Sequence, residues 1–430
     1  MNFKKKNLNN DFKEVINKGI ISFLLRIVGF LSGYAFIYLV VKYFGSETQG
    51  RLSLAFSFMV IGALFSKLGM DLGFVKIFAI KDNFNNSKGL YFKILPLNFV
   101  VTLLLCLIVF LFSDYIAVEF FNDIEFSIFL KWTSPCILFF TITQINAGVF
   151  RGLKHNALYS FLFNGGRYLF ALIIFLIIYL LGYNKPESSV IAHTAAIFLL
   201  FLISCIYIFK YLFPRSTVTN YSSKSFIKES FPMLMSATMT VFLGWADTIM
   251  LGIFKTSSDV GVYAVVLKIA VIISFTLQAI NSILAPKLSH TFNDKNYKSF
   301  NNLIKHSTQL NFVISSITII LIIIFRNFIL GIFGEEFMVA SNALIILCLG
   351  QFFNAFCGPV GIVLQMTGRQ KLFQNILLLG FIINIVLNYI LITPYGVTGA
   401  AIASAVSLIV WNSIAFYHVR RLRKLIMQTQ

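Results

Sequence analysis

The chain has 430 residues, of which 58% are hydrophobic and only 12% charged, with a mean hydropathy of +0.84. A soluble globular domain is about 45–50% apolar and about 25% charged, so a soluble fold is excluded and length is better divided by the ~20 residues that a spanning helix needs. The formal charge of +19 and pI near 9.7 would suggest nucleic acid in a soluble protein. Here the charges sit in short segments between apolar runs, which membrane topology explains and nucleic-acid binding does not.

In chain order, hydropathy predicts spans at 16–41, 50–68, 94–113, 126–148, 157–182, 190–211, 231–253, 260–283, 308–326, 341–364, 373–392 and 397–418. In lipid, backbone groups must be satisfied internally, which leaves helices or a closed barrel. The strict alternation of barrel strands is absent. The fold class expected is therefore all-α, an integral membrane protein of about twelve transmembrane helices. The polar start, Met1 to Lys18, has no cleavable signal peptide pattern. Alternate loops carry the basic residues: Lys76 to Lys93, Arg151 and Lys154, Lys210 to Lys228, Lys287 to Lys305, Arg369 and Lys371, and Arg420 to Lys424. The intervening loops offer little more than Lys42, Lys185, Lys255 and Arg326. This asymmetry predicts that both termini are cytoplasmic.

Two local echoes recur at about half the chain length. Gly50 in Phe44-Gly45-Ser46-Glu47-Thr48-Gln49-Gly50 matches Gly261 in Gly261-Val262-Tyr263, and Gly152 in the 148–154 segment matches Gly368 in the 363–371 segment. They predict a duplicated six-helix unit: an N-terminal lobe 1–211, a cytoplasmic linker 212–229 and a C-terminal lobe 230–430. An even number of spans per unit makes the repeats parallel.

Intramembrane charges are the candidate site. Arg26, Arg167 and Lys268 fall inside spans, and a basic residue at bilayer centre costs roughly 2.5–3.5 kcal/mol on insertion scales. A water-filled cavity lowers that cost, and three cations suit an anionic substrate group such as a phosphate or diphosphate. Asp247 reads either as an ion-coupling site or as a structural pair with Lys268. Asn146, Gln278, Asn384, Asn388 and other intramembrane amides read as inter-helix bonds or a polar path. Lys67 with Asp71 and Glu47 with Arg51 are spaced as i,i+4 pairs. The five cysteines lie in apolar runs without ligand spacing, and the five histidines are scattered. No P-loop is present. No metal, cofactor or catalytic residue is expected, and the chain is expected not to be an enzyme.

The ordered set Trp245-Ala246-Asp247-Thr248-Ile249-Met250-Leu251-Gly252, Gly261-Val262-Tyr263-Ala264, Lys268-Ile269-Ala270, Ala285-Pro286-Lys287-Leu288 and Gly396-Val397-Thr398-Gly399-Ala400-Ala401-Ile402-Ala403-Ser404, with the early Phe44-Gly45, Gly50 and Ser53, resembles the polysaccharide flippases. The likeness runs from about residue 15 to 418. It implies an O-antigen or capsule repeat-unit flippase of the multidrug/oligosaccharidyl-lipid/polysaccharide exporter superfamily, with a V-shaped, two-lobed, MATE-like fold. It implies translocation of undecaprenyl-diphosphate-linked oligosaccharide across the bacterial inner membrane by alternating access. Membrane lipid, and the polymerase and chain-length proteins of the same pathway, are the implied partners. Two alternatives stay open: an ion-coupled multidrug extruder on the same fold, which predicts acidic cavity residues, and a polytopic O-antigen polymerase or ligase, which predicts a large periplasmic loop that this chain lacks.

Overall fold

A computed structural model describes residues 2–80, 84–213, 219 and 221–428, with the side chains of 2–20, 23, 164, 232, 233 and 235–237 left out. Among the described residues the regular structure is helical. Contacts divide the chain into two compact units, Met1–Phe44 with Ala55–Thr238, and Gly45–Leu54 with Met239–Gln430.

The helices in order are α1 (Asn2–Lys67), α2 (Met70–Phe78), α3 (Phe84–Leu111), α4 (Ser113–Phe121), α5 (Phe126–Gly152), α6 (Asn156–Ser160), α7 (Gly166–Leu180) and α8 (Glu187–Leu212). Then follow α9 (Ser223–Phe254), α10 (Ser257–Asn293), α11 (Tyr297–Ile324), α12 (Arg326–Phe333), α13 (Ser341–Cys357), α14 (Val360–Met366) and α15 (Gln370–Gln428). Eight apolar helices are long enough to cross a membrane, and the bent pair Asn156–Phe163 with Gly166–Leu180 makes a ninth. Both α1 and α15 hold two crossings, because Gly45 (φ 76°, ψ 179°) and Gly396 (φ 52°, ψ −128°) interrupt them. With the shorter apolar helix Thr238–Phe254, the described residues carry twelve apolar segments. The short helices α4 and α12 follow the third and ninth of these, and their starts lie 213 positions apart.

Burial is inverted relative to a water-soluble fold. On α11 the buried stripe is Ser307, Asn311, Ser315 and Ile319, while Leu310, Val313, Ile317, Ile320 and Ile324 are exposed. On α3, Asn98, Thr102 and Cys106 are buried and Leu97, Val100, Leu104 and Ile108 face outward. Polar groups turn inward at i,i+4 and i,i+8, and apolar side chains cover the outside, the arrangement that a hydrocarbon solvent selects.

In the first unit, α2 packs on α5 through a small-residue pair. A Cβ on Gly148 would lie 2.2 Å from the Asp71 carbonyl oxygen, and one on Gly152 would lie 2.8 Å from the Cβ of Phe78. The helices therefore touch backbone to backbone, as Gly-xxx-Gly spacing allows. Asn146 joins three helices: the Tyr91 hydroxyl donates to its Oδ1 at 2.6 Å and its amide donates to Ser204 at 2.9 Å. The Lys67–Asp71 pair forms at 2.7 Å. It is not an intrahelical pair, because Leu68 (φ 49°) and Gly69 (φ 75°) break the helix between its members. It ties the end of α1 to the start of α2.

In the second unit, the helix beginning at Ser46 crosses α10 at two glycines. A Cβ on Gly50 would lie 1.7 Å from the Ser257 carbonyl oxygen, and one on Gly261 would lie 1.8 Å from that of Ser46. Only hydrogen fits at either place. The N-terminus exposed by the Gly45 break is capped from a distant part of the chain. The Ser46 backbone N–H and hydroxyl both donate to the Glu336 carboxylate, each at 2.9 Å. Glu47 and Arg51 pair at 2.6 Å one turn further on, and α10 starts with a capping box of Thr256 and Asp259.

Candidate functional site

Arg167 enters α7 directly after a π-helical turn, Phe161–Gly165, and a pair of glycines. The glycines permit close approach of the flanking helices. A Cβ on Gly165 would lie 2.7 Å from the Leu25 carbonyl oxygen, and one on Gly166 would lie 2.6 Å from Leu200. Arg26 is the next residue after Leu25, and Arg167 lies two beyond Gly165. The two predicted arginines therefore issue from backbones in contact.

The Arg167 guanidinium is half-buried and lies among aromatic rings, 4.4 Å from the Tyr168 centroid, 5.8 Å from Phe56 and 5.9 Å from Phe140. Cation–π contacts are worth about 0.5–2 kcal/mol each, the most when desolvated. They offset part of the insertion cost while leaving the planar donors of the guanidinium for another group. Phe56 also packs against the His193 ring, with centroids 3.8 Å apart and the planes tilted by 33°. His193 is buried, and its Nε2 has no hydrogen-bond partner among the described residues. Arg26 is half-buried too, with Nε likewise unsatisfied. Among the described residues no carboxylate forms an ion pair with either arginine. Such an arrangement can take an anion at the guanidinium edge and flat apolar faces beside it.

Lys268 and Asp247 belong to the second unit. Lys268 is half-buried on α10, between buried Val266 and buried Ala270. Asp247, on α9, is 2% exposed. Its carboxylate accepts from four neutral donors on two other helices: the Tyr263 hydroxyl at 2.7 Å, the Asn384 amide at 2.8 Å, the Asn388 amide at 2.6 Å, and the Ser404 hydroxyl. The Oδ1 of Asn388 is buried without a partner. Two amide N–H and two hydroxyl O–H groups thus point at the carboxylate, and they satisfy a buried charge that lipid and protein would otherwise leave unsolvated. Among the described residues no cluster of three His, Cys, Asp or Glu side chains is placed to hold a metal.

Sequence reasoning named the four charged residues, but not the groups that surround them. Tyr263 and Ser404 converge on Asp247 from 16 and 157 positions away. The available signal was two intramembrane amides, Asn384 and Asn388, one turn apart on one helix face. The aromatic setting of Arg167 had no local signal beyond the adjacent Tyr168.

Comparison with known proteins identifies the fold and the family. A probable low-salt glycan biosynthesis flippase, Agl15 of Haloferax volcanii, is 29% identical over 198 residues, 46% of this chain and 42% of that relative, so the match spans less than half of its length. The capsular polysaccharide biosynthesis protein CapF of Staphylococcus aureus is 21% identical over 93% of this chain and 98% of its own. Among solved structures, the lipid II flippase MurJ in an inward closed conformation has the same fold, with a TM-score of 0.75, 18% identity, and coverage of 94% of this chain and 87% of that one. The MatE family profile matches residues 232–390. The polysaccharide biosynthesis protein profile matches residues 15–292, more than half of the sequence, and the chain accordingly belongs to the polysaccharide biosynthesis protein family of the multidrug/oligosaccharidyl-lipid/polysaccharide exporter superfamily.

Proposed function

We propose that this multi-pass membrane protein is a flippase that moves undecaprenyl-diphosphate-linked oligosaccharide repeat units from the cytoplasmic to the periplasmic leaflet of a bacterial inner membrane, for O-antigen or capsule synthesis. The observation that carries the reading is Arg167. Its guanidinium sits among three aromatic rings, with no carboxylate partner among the described residues. A diphosphate takes the bidentate donors of an arginine, and sugar rings lie on aromatic faces. Arg26 sits beside it, and Lys268, on α10 of the second unit, is the third cation proposed to bind substrate. The polyprenyl tail stays in lipid.

The cycle proposed is alternating access. Substrate binding, translocation and release make and break no covalent bond, so the chain is a transporter and not an enzyme. Both termini lie in the cytoplasm on this reading. Asp247, an acid buried inside the second unit, is the coupling site for a cation or proton that drives the cycle. The polymerase and chain-length proteins of the pathway take over the product.

Deletion of the gene tests the assignment. Lipid-linked oligosaccharide is expected to accumulate on the cytoplasmic leaflet and surface polysaccharide to disappear. Arg167→Ala and Lys268→Ala are expected to reproduce this at normal protein abundance, and wild-type polysaccharide in both variants would remove the proposed binding site. A multidrug extruder, the second reading, rests on the MatE match to residues 232–390 and on the acid Asp247. It predicts drug sensitivity with unchanged polysaccharide in the deletion strain.

A further inference from the structure

A cavity of about 560 Å³ lies between the C-terminal end of α10 and the N-terminal end of α11, away from the charged residues considered above. Its lining is graded. Nearest the helix ends stand Lys287 and Lys298, with the Asn296 amide beside them and Asn302 one turn further along α11. Deeper along the helices the lining is mainly apolar, with Ile280, Ile283, Leu303 and Leu310, and His306 on α11 between the two leucines. At ~1.5 Å per residue, Leu310 lies roughly 18 Å along the helix from Lys298 and Ile280 roughly 10 Å from Lys287. The lining therefore passes from cationic at the helix ends to mainly apolar further along the two helices.

Charge around the mouth is one-sided. Between residues 285 and 306 the chain carries Lys287, Lys295, Lys298 and Lys305 against a single acid, Asp294. That acid is bonded to His290 at 2.7 Å. Lys287 and Lys298 are exposed and have no ion-pair partner among the described residues. The mouth also holds the start of α11, where Asn296 caps Ser299 at 3.1 Å, and the positive end of a helix favours the same ligand sign. Below the mouth, Ile283 is 65% and Leu310 54% exposed, so the apolar part opens outward rather than into the packed interior.

From this geometry we propose that the α10–α11 cavity binds an anionic phospholipid of the surrounding leaflet, its phosphate between Lys287 and Lys298 and its acyl chain along Ile283 and Leu310. Two lysines and the neighbouring amides match the charge and acceptors of a phosphate head group, and the apolar lining matches the chain attached to it. A free anion would use the mouth alone and leave the deeper lining without an occupant. The site is separate from the transported cargo and does not depend on which cargo that is.

The test uses the full chain in nanodiscs of phosphatidylcholine containing a minor fraction of phosphatidylglycerol. Co-purified lipid is counted by native mass spectrometry after transfer to detergent. Phosphatidylglycerol is expected to be retained over phosphatidylcholine. Removal of the charges should weaken that preference by roughly 5-fold per lysine, about 25-fold for Lys287→Gln with Lys298→Gln. Ile283→Trp, which fills the cavity and leaves the charge alone, should lose the lipid as well and serves if the double variant does not fold. An unchanged lipid ratio in these variants overturns the proposal. So does an equal loss in a Lys224→Gln, Lys228→Gln control, which would assign the preference to general surface charge. Displacement by millimolar inorganic phosphate also overturns it, because a site for the free anion does not need the chain.

Discussion

The crossing at Gly50 and Gly261 gives the sharpest test of the packing. In Gly50→Ala the new methyl would begin 1.7 Å from the Ser257 carbonyl oxygen, where ordinary contact starts near 3.4 Å. The obstacle is backbone, so no rotamer relieves it and the helices must part by roughly 1.5 Å or more. Overpacking of a well-packed site costs about 1–3 kcal/mol, and backbone against backbone belongs at the upper end. Alanine returns up to about 1 kcal/mol of helix propensity, which leaves a net loss of about 2 kcal/mol. For a unit of about 200 residues the melting temperature moves roughly 2–4 °C per kcal/mol, so a fall of about 4–8 °C is expected for the purified chain in detergent. Gly244→Ala and Gly331→Ala are the controls, since a Cβ there meets nothing within 4 Å, and they should be neutral or slightly stabilising. Gly50→Ala with Gly261→Ala should cost less than the sum of the singles, because both methyls force the same pair of backbones apart. If Gly50→Ala melts with the controls, the close crossing is refuted.

Asp247→Ala should lower abundance sharply, because it strands the buried donors of Asn384, Asn388, Tyr263 and Ser404 at about 1–3 kcal/mol each. Asp247→Asn keeps the shape, so it should retain more protein and lose export of surface polysaccharide; normal export would remove the coupling role. Glu336→Ala should cost about 1 kcal/mol, the usual worth of a helix N-cap, and Glu336→Gln less, read as melting temperature. Asp114, outside the spanning helices, is bonded to Lys131 and Ser127, and these bonds hold its pKa below the ordinary carboxylate value. A depressed pKa means that the contribution is present above the unfolded value near 4 and fades as pH falls through the folded one. The difference in melting temperature between the parent and Asp114→Asn should therefore be flat from about pH 5 to 8 and shrink below about pH 4.

The apolar segments were legible because hydropathy acts over twenty residues at a time and does not depend on tertiary partners. Their joints were not. The turn expected around residues 42–49 is a helix with a single glycine break, and what stabilises it, Glu336, lies 290 positions away. No local pattern carries that partner. Lys67 and Asp71 were legible as a pair, but the left-handed Leu68 and Gly69 between them were not, since leucine gives no warning of a positive φ. Charges inside spans announce themselves by their cost in lipid, which is why Arg26, Arg167, Lys268 and Asp247 could be singled out. What surrounds them is set by helix packing, and the aromatic rings beside Arg167 were lost among the 49 phenylalanines of the chain. The polar, basic stretch at 285–306 was read only as topology, because the cavity behind it exists only once α10 and α11 are side by side.

The glycine crossing has a further property. Gly50 meets Ser257 and Gly261 meets Ser46, and a shift of 211 positions carries Gly50 onto Gly261 and Ser46 onto Ser257. That reciprocity is what an isologous interface between two identical subunits looks like. If a single six-helix gene once served as a homodimer, any substitution at its glycine placed two methyls at the crossing at once. Fusion into one chain halves that dose, so each side can change alone and the two sides are free to diverge toward different tasks.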